Sequence, residues 1–264
     1  MTEFSVEGKN YSLSFDSDLA DSNFGFPLHS HEGIYEILYL EEGKPSFWIE
    51  GTSYPLAKGD VVIARQDEMH RMIHTERHLY KRLVINVSLD FFEAEGCEGY
   101  AKVFENRPVG VGNRFSGEGL LDEIVSRIKK YGAMGEQVLV KGALCELMWA
   151  LNTLSKSRER ESRGFVQNIV LYINDNITQP LTLDGIAENF YISKYHLCRI
   201  FKEKLGLTIA KYITHKRILL VKELCASGKN ITEACVSAGF GDYSSFYVAY
   251  KKETGKAPNE DLKK

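Results

Sequence analysis

Leu181-Thr182-Leu183-Asp184-Gly185-Ile186-Ala187-Glu188-Asn189-Phe190-Tyr191-Ile192-Ser193-Lys194-Tyr195-His196-Leu197-Cys198-Arg199-Ile200-Phe201-Lys202 is the stretch on which the fold of this chain turns. Thr182 can cap a helix whose apolar face is Ile186, Ala187 and Phe190. Asn189 to Ile192 makes a turn, and Ser193 can cap a second helix. In that helix Leu197, Ile200, Phe201 and Leu205 fall at helical spacing and form one buried stripe. Lys194, Tyr195, Cys198, Arg199 and Lys202 are left on the opposite face. A short helix, a tight turn and a second helix with basic and aromatic residues outward is the helix-turn-helix pattern, whose second helix enters the major groove of DNA. Arg199 can donate two hydrogen bonds to a guanine, and Lys202 is placed for phosphate.

The pattern occurs twice. Ile186-Ala187, Leu197, Phe201-Lys202 and Gly206 are echoed by Ala234-Cys235, Phe246, Tyr250-Lys251 and Gly255, an offset of about 49 residues that marks a duplication. In the second copy Ala238-Gly239-Phe240 forms the turn and Asp242 caps the second helix. Tyr243, Ser244, Tyr247 and Val248 face outward there, and Lys251 follows. A helical segment from about Thr208 to Ala226 joins the copies and spans roughly 27 Å. Two recognition helices so joined can sit about one DNA turn apart, roughly 34 Å, and meet successive major grooves.

Residues 165–258 resemble the AraC family of bacterial transcription regulators. The resemblance rests on Ile186-Ala187, Ser193, Leu197, Phe201-Lys202, Gly206, Arg217-Ile218, Ala238-Gly239-Phe240, Asp242, Phe246, Lys251-Lys252, Gly255 and Pro258. It implies that Tyr195, Cys198 and Arg199, and then Tyr243, Ser244 and Tyr247, fall on base-reading positions. The implied partners are a double-stranded DNA operator and RNA polymerase. The chain departs from the pattern at Tyr250 (usually Phe), at Cys235 (usually Ala) and after Pro258, where Asp261-Leu262 replace an aromatic residue and Arg.

The totals agree with this division. The 264 residues suffice for two domains. Up to residue 163 there are 19 Lys and Arg against 26 Asp and Glu, a net of −7; beyond it there are 14 against 10, a net of +4. Only the last third would be drawn to a polyanion. No apolar run approaches the roughly 20 residues that span a bilayer, and the polar, acidic start is no secretory signal. The five cysteines are scattered without a CxxC pair, which argues against a zinc knuckle or a disulfide framework. A cytoplasmic protein that meets no membrane is expected.

From Tyr11 to about Phe92 the chain reads as short strands rich in β-branched and aromatic residues. Glu42-Gly43, Glu50-Gly51 and Lys58-Gly59-Asp60 punctuate them as turns, which suggests a β-barrel or sandwich. Within it His29-Ser30-His31, Glu36 and His70 stand out. On one strand His29 and His31 would share a face. The ordering resembles the signature of cupin barrels, which serve many AraC-family members as sensing domains. Three uses are open. The four residues can bind a divalent transition metal, they can line a metal-free pocket for a small organic effector, or they can satisfy one another inside the barrel. Tyr35, Tyr39, Trp48 and Phe26 are candidate pocket aromatics, and such rings suit the faces of sugars as well as a core. His74 and His78 read as surface residues.

Beyond the strands, Leu120, Leu121, Ile124 and Ile128, then Val138 to Leu151, fall at helical spacing with a break near Gly132–Gly135. The helical stretch 117–155 can pack on its own barrel or on its mate in a homodimer; the resemblance favours the dimer. The expected architecture is an α+β multidomain chain. It comprises a cupin-like β-barrel (1–95), a helical appendage (96–155), a linker (156–164) and an all-α domain with two helix-turn-helix units (165–264). The expected function is a non-enzymatic, ligand-responsive, sequence-specific transcription regulator of carbohydrate-related genes. The alternative is a metal-dependent cupin enzyme carrying a DNA-binding tail.

Overall fold

The computed structural model describes residues 1–262 except 23, 25–27, 117–118 and 156–163. It divides into two compact units, Met1–Arg163 and Gly164–Lys264. Phe26 and nearly all of the expected linker lie outside the described residues.

Among the described residues the first unit has nine strands: β1 (Thr2–Glu7), β2 (Tyr11–Ala20), β3 (Ile34–Glu42), β4 (Ser46–Ile49), β5 (Thr52–Pro55), β6 (Val61–Ala64), β7 (His70–Ile73), β8 (His78–Ser88) and β9 (Arg114–Phe115). They form a six-stranded sheet in the order β1-β2-β8-β3-β6-β9 and a three-stranded sheet in the order β5-β4-β7. All pairings are antiparallel. The β4–β5 hairpin closes on Glu50-Gly51, with φ of 44° and 90°. Positive φ at both central residues matches the strand twist in a two-residue turn.

Alternation along β3 divides its residues between two cores. Leu38 and Leu40 point between the sheets, against Phe47, Ile49, Tyr54 and Tyr80. Tyr35, Ile37 and Tyr39 point the other way, into a larger core shared with helices. Those helices are α1 (Leu89–Ala94), α2 (Lys102–Glu105), α3 (Leu120–Ala133) and α4 (Gln137–Ser155). The break expected at residue 95 therefore does not separate two bodies. β9 returns to the large sheet beside β6, and Leu121, Ile124, Leu144 and Leu147 bury in the same core as the outer face of that sheet. By length and composition α4 is apolar enough to cross a membrane. Its buried residues Val140, Leu144, Leu147 and Leu151 make it a core helix here.

The second unit contains α5 (Phe165–Asp175), α6 (Leu183–Asn189), α7 (Lys194–Leu205), α8 (Ile209–Ala226), α9 (Ile231–Ser237), α10 (Tyr243–Thr254) and α11 (Pro258–Asp261). Their starts follow from caps. Thr182, Ser193, Thr208, Asn230 and Asp242 each accept a hydrogen bond from the backbone N–H three residues on. α7 and α10, the equivalent helices of the two copies, both end at a left-handed glycine, Gly206 and Gly255. Leu197, Phe201 and Leu205 are fully buried in the first copy; Phe246 and Tyr250 are in the second. Each large side chain so buried contributes roughly 1.5–3 kcal/mol.

Candidate functional site

The stripes that bury α7 and α10 decide what those helices turn to solvent. Leu197 and Phe201 face inward, so Tyr195 is 78% exposed and Lys194, Arg199 and Lys202 are exposed with it; Cys198 is half-buried. Arg199 donates from Nη2 to His196 Nδ1 at 3.2 Å and lies 3.5 Å from Glu203 Oε1. Both contacts are on the surface, where they are readily exchanged for a base or a phosphate. Lys194 pairs with Asp184 at 2.9 Å. On α10, Ser244, Val248 and Lys251 are exposed, whereas Tyr243 and Tyr247 are half-buried. The Tyr243 ring packs on Phe246 with centroids 6.0 Å apart, so one of its sides belongs to the core and only the other can meet a ligand.

Tyr191 was not singled out from sequence. It occupies the turn between α6 and α7 at φ 56°, 96% exposed. A bulky non-glycine residue held in the left-handed region and fully solvated is unusual. It stands beside the start of α7, next to the exposed residues of that helix.

The second site is a cavity of about 610 Å³ in the first unit, lined by residues of both sheets. It holds a cluster of three imidazoles and a carboxylate. His29 is not in a strand; it is tied to β7 by an isolated bridge in which its backbone N–H and carbonyl both pair with His70. That bridge brings the His29 and His70 rings to 4.6 Å between centroids, with His31 5.3 Å from His70. Glu36, on the inward face of β3, lies 3.0 Å from His31 Nε2 and 3.5 Å from His70 Nε2. One ligand atom from each of the four residues lies within 4.8 Å of all the others.

The surroundings orient this cluster. His70 Nδ1 donates to the Glu68 carbonyl at 2.7 Å. A carbonyl can only accept, so the proton sits on Nδ1 and Nε2 is the atom turned to the cluster. Burial alone would raise the Glu36 pKa, but its hydrogen bonds to His31 and His70 outweigh this and hold it far below the usual carboxylate range. Burial would likewise lower that of His70, and the Glu36 carboxylate reverses it. The carboxylate thus favours a cation beside it, whether a proton on imidazole or a metal ion. Three imidazoles and one carboxylate are donors suited to a divalent transition metal.

The pocket corrects four residue assignments. Tyr35 and Tyr39 do not line it. They lie in the core under the helices, where their hydroxyls donate to Glu105 Oε1 at 2.7 Å and to Asp122 Oδ1 at 2.5 Å. Trp48 is buried and absent from the lining as well; its neighbour Phe47 faces the cavity instead, stacked on His70 at 5.6 Å. His74 is no surface residue. It is buried, lines the cavity, and its Nδ1 lies 3.2 Å from His78 Nε2. Sequence reasoning also missed Arg71, Tyr80 and Arg82, which line the same cavity.

Two family models match the chain. One, an AraC-like ligand binding domain, matches residues 18–107; the other, a helix-turn-helix domain, matches residues 186–264. The HTH-type transcriptional activator RhaS of Yersinia pestis is 25% identical over 252 residues, covering 89% of this chain and 88% of that protein. The uncharacterized HTH-type transcriptional regulator YfiF of Bacillus subtilis is 25% identical over 248 residues, covering 88% and 77%. Among solved structures, ToxT of Vibrio cholerae with a bound unsaturated fatty acid is 14% identical, covers 99% of this chain and 97% of its own, and has a TM-score of 0.43. With a ligand-binding domain over the β-sheet unit and a helix-turn-helix domain over the helical unit, the chain belongs to the AraC family of DNA-binding transcription regulators, a non-enzymatic family.

Proposed function

We propose that the chain is a ligand-responsive, sequence-specific regulator whose effector site is the cavity around His29, His31, Glu36 and His70, and that this site holds a divalent transition metal. The carrying observation is the mutual approach of the four ligand atoms within 4.8 Å. The remaining cavity admits a small molecule beside them. Its polar lining includes Arg71, together with Arg82, which is paired with Asp16 and Asp18; with the imidazole cluster this suits a metal-chelating effector. Of the aromatic residues that suggested a sugar, Tyr35, Tyr39 and Trp48 lie away from the lining and Phe26 lies outside the described residues, so control of carbohydrate-related genes rests mainly on the resemblance.

A bound effector acts only through a difference in affinity between two arrangements of the protein. A homodimer is the assembly in which such a difference would be read. It is supported by the apolar residues that α4 leaves at the surface, Val138 (77% exposed), Leu139 and Trp149. The relatives named as activators support a contact with RNA polymerase in the bacterial cytoplasm.

The test is metal analysis of the purified full chain together with its affinity for a duplex selected from a random pool. Close to one equivalent of metal, lost in His31→Ala, with a change in duplex affinity when Zn²⁺, Mn²⁺, Fe²⁺ or Ni²⁺ is supplied, is the expected result. Equal metal content in wild type and His31→Ala would remove the metal. An unchanged duplex affinity with metal and with cell extract would remove the sensing role.

A further inference from the structure

Arg217, in the middle of α8, does not serve either recognition surface. Its Nε donates to the Ile177 carbonyl at 2.9 Å and its Nη2 to the Gln179 carbonyl at 2.7 Å. Ile177 and Gln179 belong to the segment between α5 and α6, the entry to the first helix-turn-helix copy. The turn of the second copy reaches the same Ile177 carbonyl and that of Thr178 beside it. At Gly239 (φ 91°) an added Cβ would lie 2.8 Å from the Ile177 carbonyl oxygen, 3.0 Å from that of Thr178 and 3.0 Å from Arg217 Nε. No side chain fits there. Three segments therefore meet at one point: the entry to the first copy, the connecting helix and the turn of the second copy. Tyr212, earlier on α8, adds a tether by donating to Asn174 Oδ1 on α5 at 3.0 Å.

The two copies have separate cores. Phe201 packs on Tyr212 in one, with ring centroids 5.7 Å apart. Phe246 and Tyr250 pack with Ala234 and Cys235 in the other. The connecting helix α8 enters both cores, through Tyr212 in the first and through Ile218 and Val221 in the second, and so sets the coarse separation of α7 and α10. The junction at Arg217 adds a second attachment, between the entry to the first copy and the turn of the second, which resists rotation of one copy against the other. Its acceptors lie just past the C-terminal end of α5, where a cation is favoured. A guanidinium offers donors in a fixed fork that an ammonium cannot reproduce. A shift of one base pair moves a half-site by about 3.4 Å and about a tenth of a turn, so a loosened junction would admit neighbouring separations.

We propose that Arg217, with the side-chain-free Gly239 against it, is a positioning residue that refines the separation and sets the phase of the two DNA-reading helices. It thereby makes the protein selective for the spacing between half-sites while touching no base.

The test is selection of duplexes from a random-sequence pool by the full chain, read as the two half-motifs and the distribution of distances between them. Wild type is expected to recover two motifs at one separation. Arg217→Met is expected to recover the same motifs with separations spread by at least one base pair each way. It should bind the wild-type-spaced duplex roughly tenfold more weakly, as expected for losing two charge-assisted hydrogen bonds in part replaced by water. Its affinity for a duplex with the first motif alone should stay within about twofold of wild type, because α7 is untouched. Arg217→Lys keeps the charge and one reach to a carbonyl, so it should fold and show the spread in milder form. Three results would each overturn the proposal. In the first, wild type enriches only one motif. In the second, Arg217→Lys and any folded Arg217→Met keep the wild-type separation. In the third, both variants lose affinity for all duplexes alike in step with a lowered melting temperature.

Discussion

The Tyr250 hydroxyl donates to Asp261 Oδ2 at 2.6 Å and ties the last short helix, α11, to α10. These are two of the positions at which the chain departs from the AraC-family pattern, and the structure joins them. A Tyr where Phe is usual creates a buried hydroxyl, and Asp261 supplies its acceptor. The carboxylate is in turn held below its ordinary pKa, first by that hydrogen bond and then by Lys256 and Lys222. Tyr250→Phe should cost about 1 kcal/mol of stability, and so should Asp261→Ala, because each removes the hydrogen bond between them. The double variant should cost little more than either single one. Additive losses in urea unfolding would mean that the two residues act independently.

Of the exposed basic residues of α7, Arg199 and Lys202 carry different expectations under the proposed DNA-binding role. Arg199→Ala should cost about 1–3 kcal/mol on the selected operator and relax the preference at one base pair. Lys202→Ala should weaken all sequences alike and reduce the slope of log affinity against log salt by about 1. Titrations against the operator and a scrambled duplex at several salt concentrations separate the two. Wild-type binding by both variants would show that this face does not meet DNA.

The helical unit was legible in sequence because its punctuation is local. Thr182, Ser193 and Asp242 cap helices within three residues of themselves, and Gly206 and Gly255 close equivalent ones. The duplication supplied the same reading twice. In the β-sheet unit alternation identified β3 as a strand but not which face was inward. Helices cover the outer face of the sheet, so Tyr35 and Tyr39 are as buried there as Leu38 and Leu40 are between the sheets. Trp48 and Phe47 on β4 posed the same choice. His74 carried a usable signal: it follows His70 and Met72 at period two, and all three line the cavity. The junction at Arg217 joins residues 38 and 40 positions apart, and no local pattern announces it.

His74 gives the sensing unit a measurable acid sensitivity. Burial, then the nearby His78 and Arg82, push its imidazole down from 6.5 to about 4, against a weaker upward pull from Asp21. The unfolded chain regains the ordinary value and binds the proton more readily. The stability His74 permits is therefore nearly complete above pH 6.5 and is lost as pH falls toward 4, by on the order of 1–3 kcal/mol over that interval. His74→Gln should flatten this part of the profile of melting temperature against pH. Parallel profiles for the two proteins would place the acid sensitivity elsewhere.

Glu68 and Arg107 hold the strand that carries His70. Arg107 donates from both terminal nitrogens, to Oε1 at 2.7 Å and to Oε2 at 2.5 Å. The Gly110 backbone N–H and the Asn113 side chain donate to the same carboxylate at 2.8 and 3.2 Å, and the Arg65 backbone N–H does so at 3.1 Å. Burial alone would raise the Glu68 pKa, but Arg107 and these donors bring it down to about 2, so the group is a buried anion. Arg107→Met removes the cation and leaves the anion in place, which should cost about 3–5 kcal/mol in urea unfolding. Adding Glu68→Gln neutralises what remains and keeps an acceptor for the backbone donors, so the double variant should recover part of the loss. The Glu68 carbonyl that orients His70 is main chain and survives both substitutions; metal content should therefore persist in the folded double variant even though it is less stable than wild type. A cost below about 1 kcal/mol for Arg107→Met would put this pair with surface ion pairs, and the strand would then owe its position to the sheet alone.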